Sequence, residues 1–284
     1  MPTHDSAVDI AVDGQHIAGT LVSPATAVPG VLFVHGWGGS QEQYLARARE
    51  VAALGCVCLT FDLRGHARTE PQNETVTREH SLRDVIAAYD VLADQRVVDG
   101  SAIAVVGSSY GGYLAAILSS LRPVRWLALR APALYKDEDW TLPKRRLNSD
   151  QLAVYRRGPV EAASNRALRA CAAFKGDVLI IESENDDVVP HPVIANYLAA
   201  FERTHSLTYR VIEGADHGLS EEPWQQAYTS LLVSWATEMV LRTTEGAAAP
   251  EEHTSLVGTR PPLRELGEEV LDETVRANSS RLPK

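Results

Sequence analysis

Cysteine is scarce in this chain, with three in 284 residues: Cys56, Cys58 and Cys171. They form neither a C-x-x-C pair nor a disulfide framework. Cys56 and Cys58 lie two apart in an apolar run, so strand alternation turns both to one side as small buried side chains. Basic charge is also in deficit, 27 Lys and Arg against 37 Asp and Glu, for a net charge of -10. Such a surface repels phosphate backbones and anionic lipid, which argues against nucleic acid or a membrane as partner. No apolar stretch approaches the roughly 20 residues that span a bilayer. The opening residues Met1 to Ser6 hold no basic segment followed by an apolar core. A soluble, cytoplasmic protein is expected. No His or Cys pair has metal-ligand spacing, and no glycine-rich loop is joined by an acidic ribose-binding position. Neither a metal nor another cofactor is expected.

What the chain does have is apolar content, 45%, ample for one sizeable core. Ala7 to Val12 and His16 to Val22 alternate apolar with polar residues about Asp13-Gly14, a hairpin signal. Apolar runs follow at Gly30 to His35, Cys56 to Leu63 and Ala102 to Val106, and further strands are read at Arg125 to Arg130, Val178 to Glu182 and Leu207 to Ile212. Helical segments separate or follow them, at Glu42 to Leu54, Ser81 to Asp94, Tyr113 to Leu121, Val193 to Phe201 and Trp224 to Val240. This alternation implies an α/β fold, a mostly parallel sheet with helices on both faces. Residues 1–242 read as one domain, interrupted by an insertion from Ala133 to Ala173 with the reach of a small cap. Within it, Tyr135, Trp140, Leu142, Leu147 and Tyr155 are set among charges. From 243 to 284 the composition shifts. Gly246 to Pro262 reads as a linker, and Leu263, Leu266, Val270, Leu271 and Val275 share one helical face. That face suits a helix docked on this subunit or on a second copy in a homo-oligomer, and an acidic tail fits equally.

Chemistry centres on Gly107-Ser108-Ser109-Tyr110-Gly111-Gly112, between a strand-like run and a helix-like one. Glycines there permit a sharp strand-to-helix turn that lifts Ser109 above the sheet edge as a nucleophile; the plainer reading is a turn whose serine caps the helix. A serine hydroxyl needs a general base, and the base needs an acid to fix its tautomer. Of nine histidines, His217 in Gly214-Ala215-Asp216-His217-Gly218 directly follows the last strand-like run. The acid is sought in Glu182 to Pro190, giving the chain order Ser, acid, His.

These segments, with His35-Gly36-Trp37-Gly38-Gly39 after the first parallel strand, make residues from about Ala7 to Val240 resemble an α/β-hydrolase. The resemblance implies a roughly eight-stranded sheet and assigns the acid to Asp186 of Asp186-Asp187-Val188-Val189-Pro190, with Asp187 its neighbour. It implies an oxyanion hole from the backbone N–H groups of Trp37 and Tyr110. It gives His35 and Asp216 loop-bracing roles. Asp62-Leu63-Arg64-Gly65-His66 resembles a family segment whose final glycine is Ala67 here, so the loop beyond is expected to change shape. His66, His80 and His191 read as isolated surface or loop residues. The elbow is similar to that of prolyl-oligopeptidase catalytic domains, although strands starting near Ala7 leave no room for their propeller. Dienelactone hydrolases are similar in size but use cysteine; epoxide hydrolases and haloalkane dehalogenases use aspartate. The implied activity is hydrolysis of a carboxylic ester of a small-molecule substrate with a small or medium acyl group. Thioesterase, amidase or peptidase, and acyltransferase activities share the same triad, and a non-catalytic ligand-binding protein shares the fold. Trp37, Tyr135 and Trp140 are the candidate substrate contacts, with the insertion expected over Ser109.

Overall fold

The structure, a computed structural model, describes residues 3–24 and 29–246. The segment 247–284, which holds the expected linker and amphipathic face, lies outside the described residues. Strands β1 (Thr3–Val12) and β2 (Gln15–Pro24) form the expected hairpin, with Val12 paired to Gln15. Asp13 and Gly14 turn it with φ of 48° and 70°, the doubly left-handed turn that matches strand twist.

The remaining strands are β3 (Gly30–Val34), β4 (Val57–Phe61), β5 (Ile103–Ser108), β6 (Trp126–Arg130), β7 (Asp177–Ser183) and β8 (Ser206–Ile212). Their order in one eight-stranded sheet is β1-β2-β4-β3-β5-β6-β7-β8. Only β1–β2 and β2–β4 pair antiparallel; the other pairs are parallel. Parallel strands need crossovers that cover both sheet faces, which is why β3 to β7 read as unbroken apolar runs.

Seven α-helices are described: α1 (Glu42–Ala52), α2 (Arg78–Ala93), α3 (Tyr110–Leu118), α4 (Ser149–Tyr155), α5 (Arg166–Ala173), α6 (His191–Ala200) and α7 (Glu222–Gly246). On one face, Val31, Phe33, Cys58, Val106 and Ile181 pack with Tyr44, Ala48 and Val51 of α1 and Leu232, Trp235 and Met239 of α7. On the other, α2, α3, α5 and α6 touch in series. All three cysteines are buried and free, and burial pushes the Cys56 thiol up to about 12 and Cys58 well above its ordinary value. Among the described residues, no helix is long and apolar enough to cross a membrane.

Two expectations are corrected. Helix α2 starts at Arg78, three residues early, because Thr77 accepts from His80 N while the His80 ring accepts from Thr77 N. His80 is therefore half of a capping box, not a loop residue. The insertion also ends sooner than Ala173. Three single-turn helices (Asp137–Asp139, Lys144–Arg146, Ala162–Ser164) and α4 make up the inserted part. Helix α5 buries Ala167, Leu168, Ala170 and Cys171 and packs on α3 and α6, so it is the crossover between β6 and β7. Its apolar stripe is short and flanked by arginines, which hid it within a charged stretch.

Candidate active site

Strand β5 ends at the centre of the sheet, and the chain turns at Ser109 directly into α3. Ser109 adopts φ 51° and ψ -116°, a conformation rarely held without outside restraint. The restraint comes from three backbone bonds. Ser109 N donates to the Arg130 carbonyl at 2.9 Å, and the Ser109 carbonyl accepts from Tyr113 N at 3.1 Å and Ala133 N at 2.9 Å. Glycine at 107 and 111 is a matter of space: a Cβ on Gly107 would lie 2.5 Å from the Gly111 carbonyl oxygen, and one on Gly111 would collide with the Val34 carbonyl.

Loops after β7 and β8 bring the other two residues to the same sheet edge. His217 Nε2 lies 3.0 Å from Ser109 Oγ, and His217 Nδ1 lies 2.6 Å from Asp186 Oδ2. The second Asp186 oxygen accepts from Val188 N at 2.9 Å and Val189 N at 2.7 Å, which fixes the carboxylate plane. Asp187 faces solvent. Asp216 bonds Ser220 N and Oγ and so closes the turn after His217; those bonds hold its carboxyl below the usual range. Sequence reasoning missed Arg130. Its buried guanidinium, at the end of β6, donates to the His217 carbonyl and to Ser183 Oγ. A cation closing an otherwise apolar strand at the C-terminal edge was the available signal.

Opposite His217, the loop His35 to Gly39 lies against Ser109: a Cβ on Gly36 would sit 3.4 Å from Ser109 Cβ. His35 is buried, donates from Nδ1 to the Gly36 carbonyl at 2.7 Å and accepts from Leu63 N at Nε2 at 3.0 Å. Burial pulls its pKa down to about 4, opposed only in part by that carbonyl. His66 is a loop residue, as one of the expected alternatives had it, but it is buried and not isolated. Its Nε2 accepts from Gly38 N at 3.0 Å, and burial also lowers its pKa. An isolated histidine in sequence gives no sign of a partner 28 residues away. Asp62 accepts from Gln41 N at 2.8 Å and anchors the far end of the same loop. With Gly38 N committed to His66 and Gly39 N to the Gly36 carbonyl, the N–H groups of Trp37 and Tyr110 have no partner among the described residues.

The Trp37 ring meets Tyr110 edge-on at 5.5 Å, and Tyr110 meets Tyr135 edge-on at 5.8 Å. Tyr135 and Trp140 are both buried, at 3% and 5% exposure. The Arg166 guanidinium stacks 3.8 Å from the Trp140 ring centre, with Arg78 on it at 5.9 Å. Trp140 is thus enclosed between the inserted segment and the first residues of α2 and α5. His191, at the start of α6, has a largely exposed ring that bonds Glu182.

A family model, the alpha/beta hydrolase family, matches residues 31–228. No curated protein matches the sequence significantly. Solved structures with a similar fold include Est1E from Butyrivibrio proteoclasticus with ferulic acid bound, at 17% identity and a TM-score of 0.64, covering 84% of this chain and 100% of that one. A dienelactone hydrolase from Anabaena variabilis aligns at 22% identity and a TM-score of 0.58, over 82% of this chain and 96% of that one. A fungal esterase from Rhizomucor miehei aligns at 18% identity and 0.61, over 85% of each chain.

Proposed function

The chain belongs to the α/β-hydrolase family, and on that premise we propose that it is a cytoplasmic serine hydrolase cleaving a carboxylic ester of a small or medium acyl substrate through an acyl-enzyme on Ser109. The observation that carries this reading is the unbroken line from Ser109 Oγ through the His217 ring to Asp186, 3.0 Å and 2.6 Å per link. Asp186 accepts a hydrogen bond from His217 Nδ1–H, which fixes the tautomer and leaves the Nε2 lone pair aimed at the serine hydroxyl. Ser109 Oγ attacks the carbonyl carbon as its proton passes to Nε2, and the carbonyl π pair moves onto oxygen. The Trp37 and Tyr110 N–H groups receive that oxyanion, each worth about 3 to 4 kcal/mol. Collapse expels the alcohol, which takes the proton from Nε2. Water then repeats the sequence on the acyl-enzyme and restores the serine.

Trp37, only partly buried, is the proposed wall of the acyl pocket; Tyr135, buried at 3% exposure against Tyr110 and Tyr113, supports that wall from behind instead of touching substrate as expected. Trp140 acts behind them through Arg78, whose guanidinium lies over both the Tyr135 and Trp140 rings. The inserted segment is built of single turns and one short helix. It lacks a broad apolar lid, which favours short, soluble esters over emulsified long-chain lipids.

The test is labelling by a fluorophosphonate probe together with hydrolysis of p-nitrophenyl esters. Wild-type protein should do both, Ser109→Ala neither, and Asp186→Asn should lose far more turnover than Asp187→Asn. Ester turnover undiminished in Ser109→Ala would reject the reading, and the reverse aspartate ranking would move the acid to Asp187.

A further inference from the structure

The molecule carries a net charge of -10, yet cations gather on the rings of Trp37, Tyr110 and Tyr135, the first two of which lie in the oxyanion loop and the elbow at Ser109. The Lys144 ammonium lies 4.9 Å from the Trp37 ring centre, 5.4 Å from Tyr135 and 5.8 Å from Tyr110. Trp37 and Tyr110 are the two residues whose backbone N–H groups are proposed to hold the oxyanion. Lys144 is fixed at its backbone: its N–H donates to the Val76 carbonyl at 2.8 Å, and Pro143 bridges to Thr77. The Tyr135 ring has two further cations about it, Arg78 at 5.3 Å and Arg156 at 5.0 Å. Among the described residues, no carboxylate lies within salt-bridge distance of Lys144, Arg78 or Arg156. The neighbouring acid, Asp137, is engaged by Arg166 and Arg169. Arg78 is fully buried, and its Nε and Nη2 have no hydrogen-bond partner.

Charge of one sign, held against low-dielectric aromatic walls without a salt-bridge partner, concentrates its field on whatever occupies the space beside it. Aromatic faces stabilise an ammonium but leave its three N–H donors available. We infer that Lys144 binds a carboxylate on the substrate, so that the preferred esters are anionic, with Arg78 and Arg156 reinforcing the attraction from behind the Tyr135 ring. This inference rests on the serine-hydrolase reading. The carboxylate belongs either to the acyl group or to the alcohol; both place the same anion beside Trp37.

The experiment compares kcat/KM for two matched pairs. On the acyl side these are p-nitrophenyl hemisuccinate and p-nitrophenyl pentanoate; on the alcohol side, p-acetoxybenzoate and its methyl ester. Wild-type protein should favour the anionic member in at least one pair, and Lys144→Met should lower that member's kcat/KM about ten- to a hundredfold, as expected for a charge-assisted hydrogen bond. The neutral partner should fall far less, Lys144→Arg should restore most of the difference, and added salt should shrink it. Equal losses on anionic and neutral esters in both pairs, or no loss, would overturn the inference. Absence of Ser109-dependent hydrolysis of all four esters would instead reject the serine-hydrolase reading, and the inference with it.

Discussion

Ala67 holds φ at 46°, the left-handed region where a Cβ crowds the carbonyl, at a cost of about 1 to 2 kcal/mol. Glycine is the residue that the related segment carries there, and the expectation was that alanine would reshape the loop. The alanine adopts the strained angle, because Gly65 N donates to Thr69 Oγ1 and Asn73 Nδ2 donates to the Gly65 carbonyl, which fixes the chain on both sides. Ala67→Gly should relieve that strain, less the extra freedom glycine has when unfolded, and raise stability by about 1 kcal/mol in urea unfolding. A fall in stability would mean that the methyl group makes compensating contacts. Ser109 shows the same strain put to use: its angle projects the hydroxyl toward His217. That residue was legible from sequence because glycine spacing reports a steric requirement. His66 was not, because its importance lies in a bond to Gly38 that no local pattern encodes, and Arg130 showed only as a cation closing an apolar strand, with nothing to name His217 as its partner.

At the scale of elements, the parallel strands β3 to β7 were legible because burial on both faces leaves little room for polar residues, and the hairpin because Asp13-Gly14 matches its turn. The inserted segment was legible only as an interruption. Its aromatic residues pack against guanidinium groups, Arg156 from within it and Arg78 and Arg166 from α2 and α5, so no period-3.6 stripe marks it. Trp140 is the clearest case. Proposed from sequence as a substrate contact, it is 5% exposed, with Arg166 on its ring. Trp140→Ala should therefore cost about 3 to 5 kcal/mol of stability, the usual price of emptying a buried tryptophan site. Denaturant unfolding checks this. A loss under about 1 kcal/mol with a changed ester ranking would return Trp140 to the pocket wall.

For the whole molecule, the loop beside Ser109 depends on histidines buried in the neutral form. His35 has a folded pKa of about 4 against 6.5 when unfolded. A lowered value means that the unfolded chain binds the proton first. Its contribution is intact above the unfolded value of 6.5 and is lost as pH falls from there toward about 4, up to about 3 kcal/mol. His66, also lowered, acts in the same direction. Urea unfolding at about pH 7.5 and about pH 4.5 should show this loss in the wild type and a smaller one in His35→Gln, which cannot titrate. Equal losses would mean that other groups govern acid stability. The central claim is that Ser109, driven by His217 and Asp186, carries the acyl group. Its most direct measurement is acid-quench mass spectrometry after mixing with p-nitrophenyl acetate. The account predicts one added acetyl group on the peptide containing Ser109, absent from Ser109→Ala. Ester turnover with that peptide unmodified throughout, or acetyl found on another residue and retained in Ser109→Ala, would contradict it.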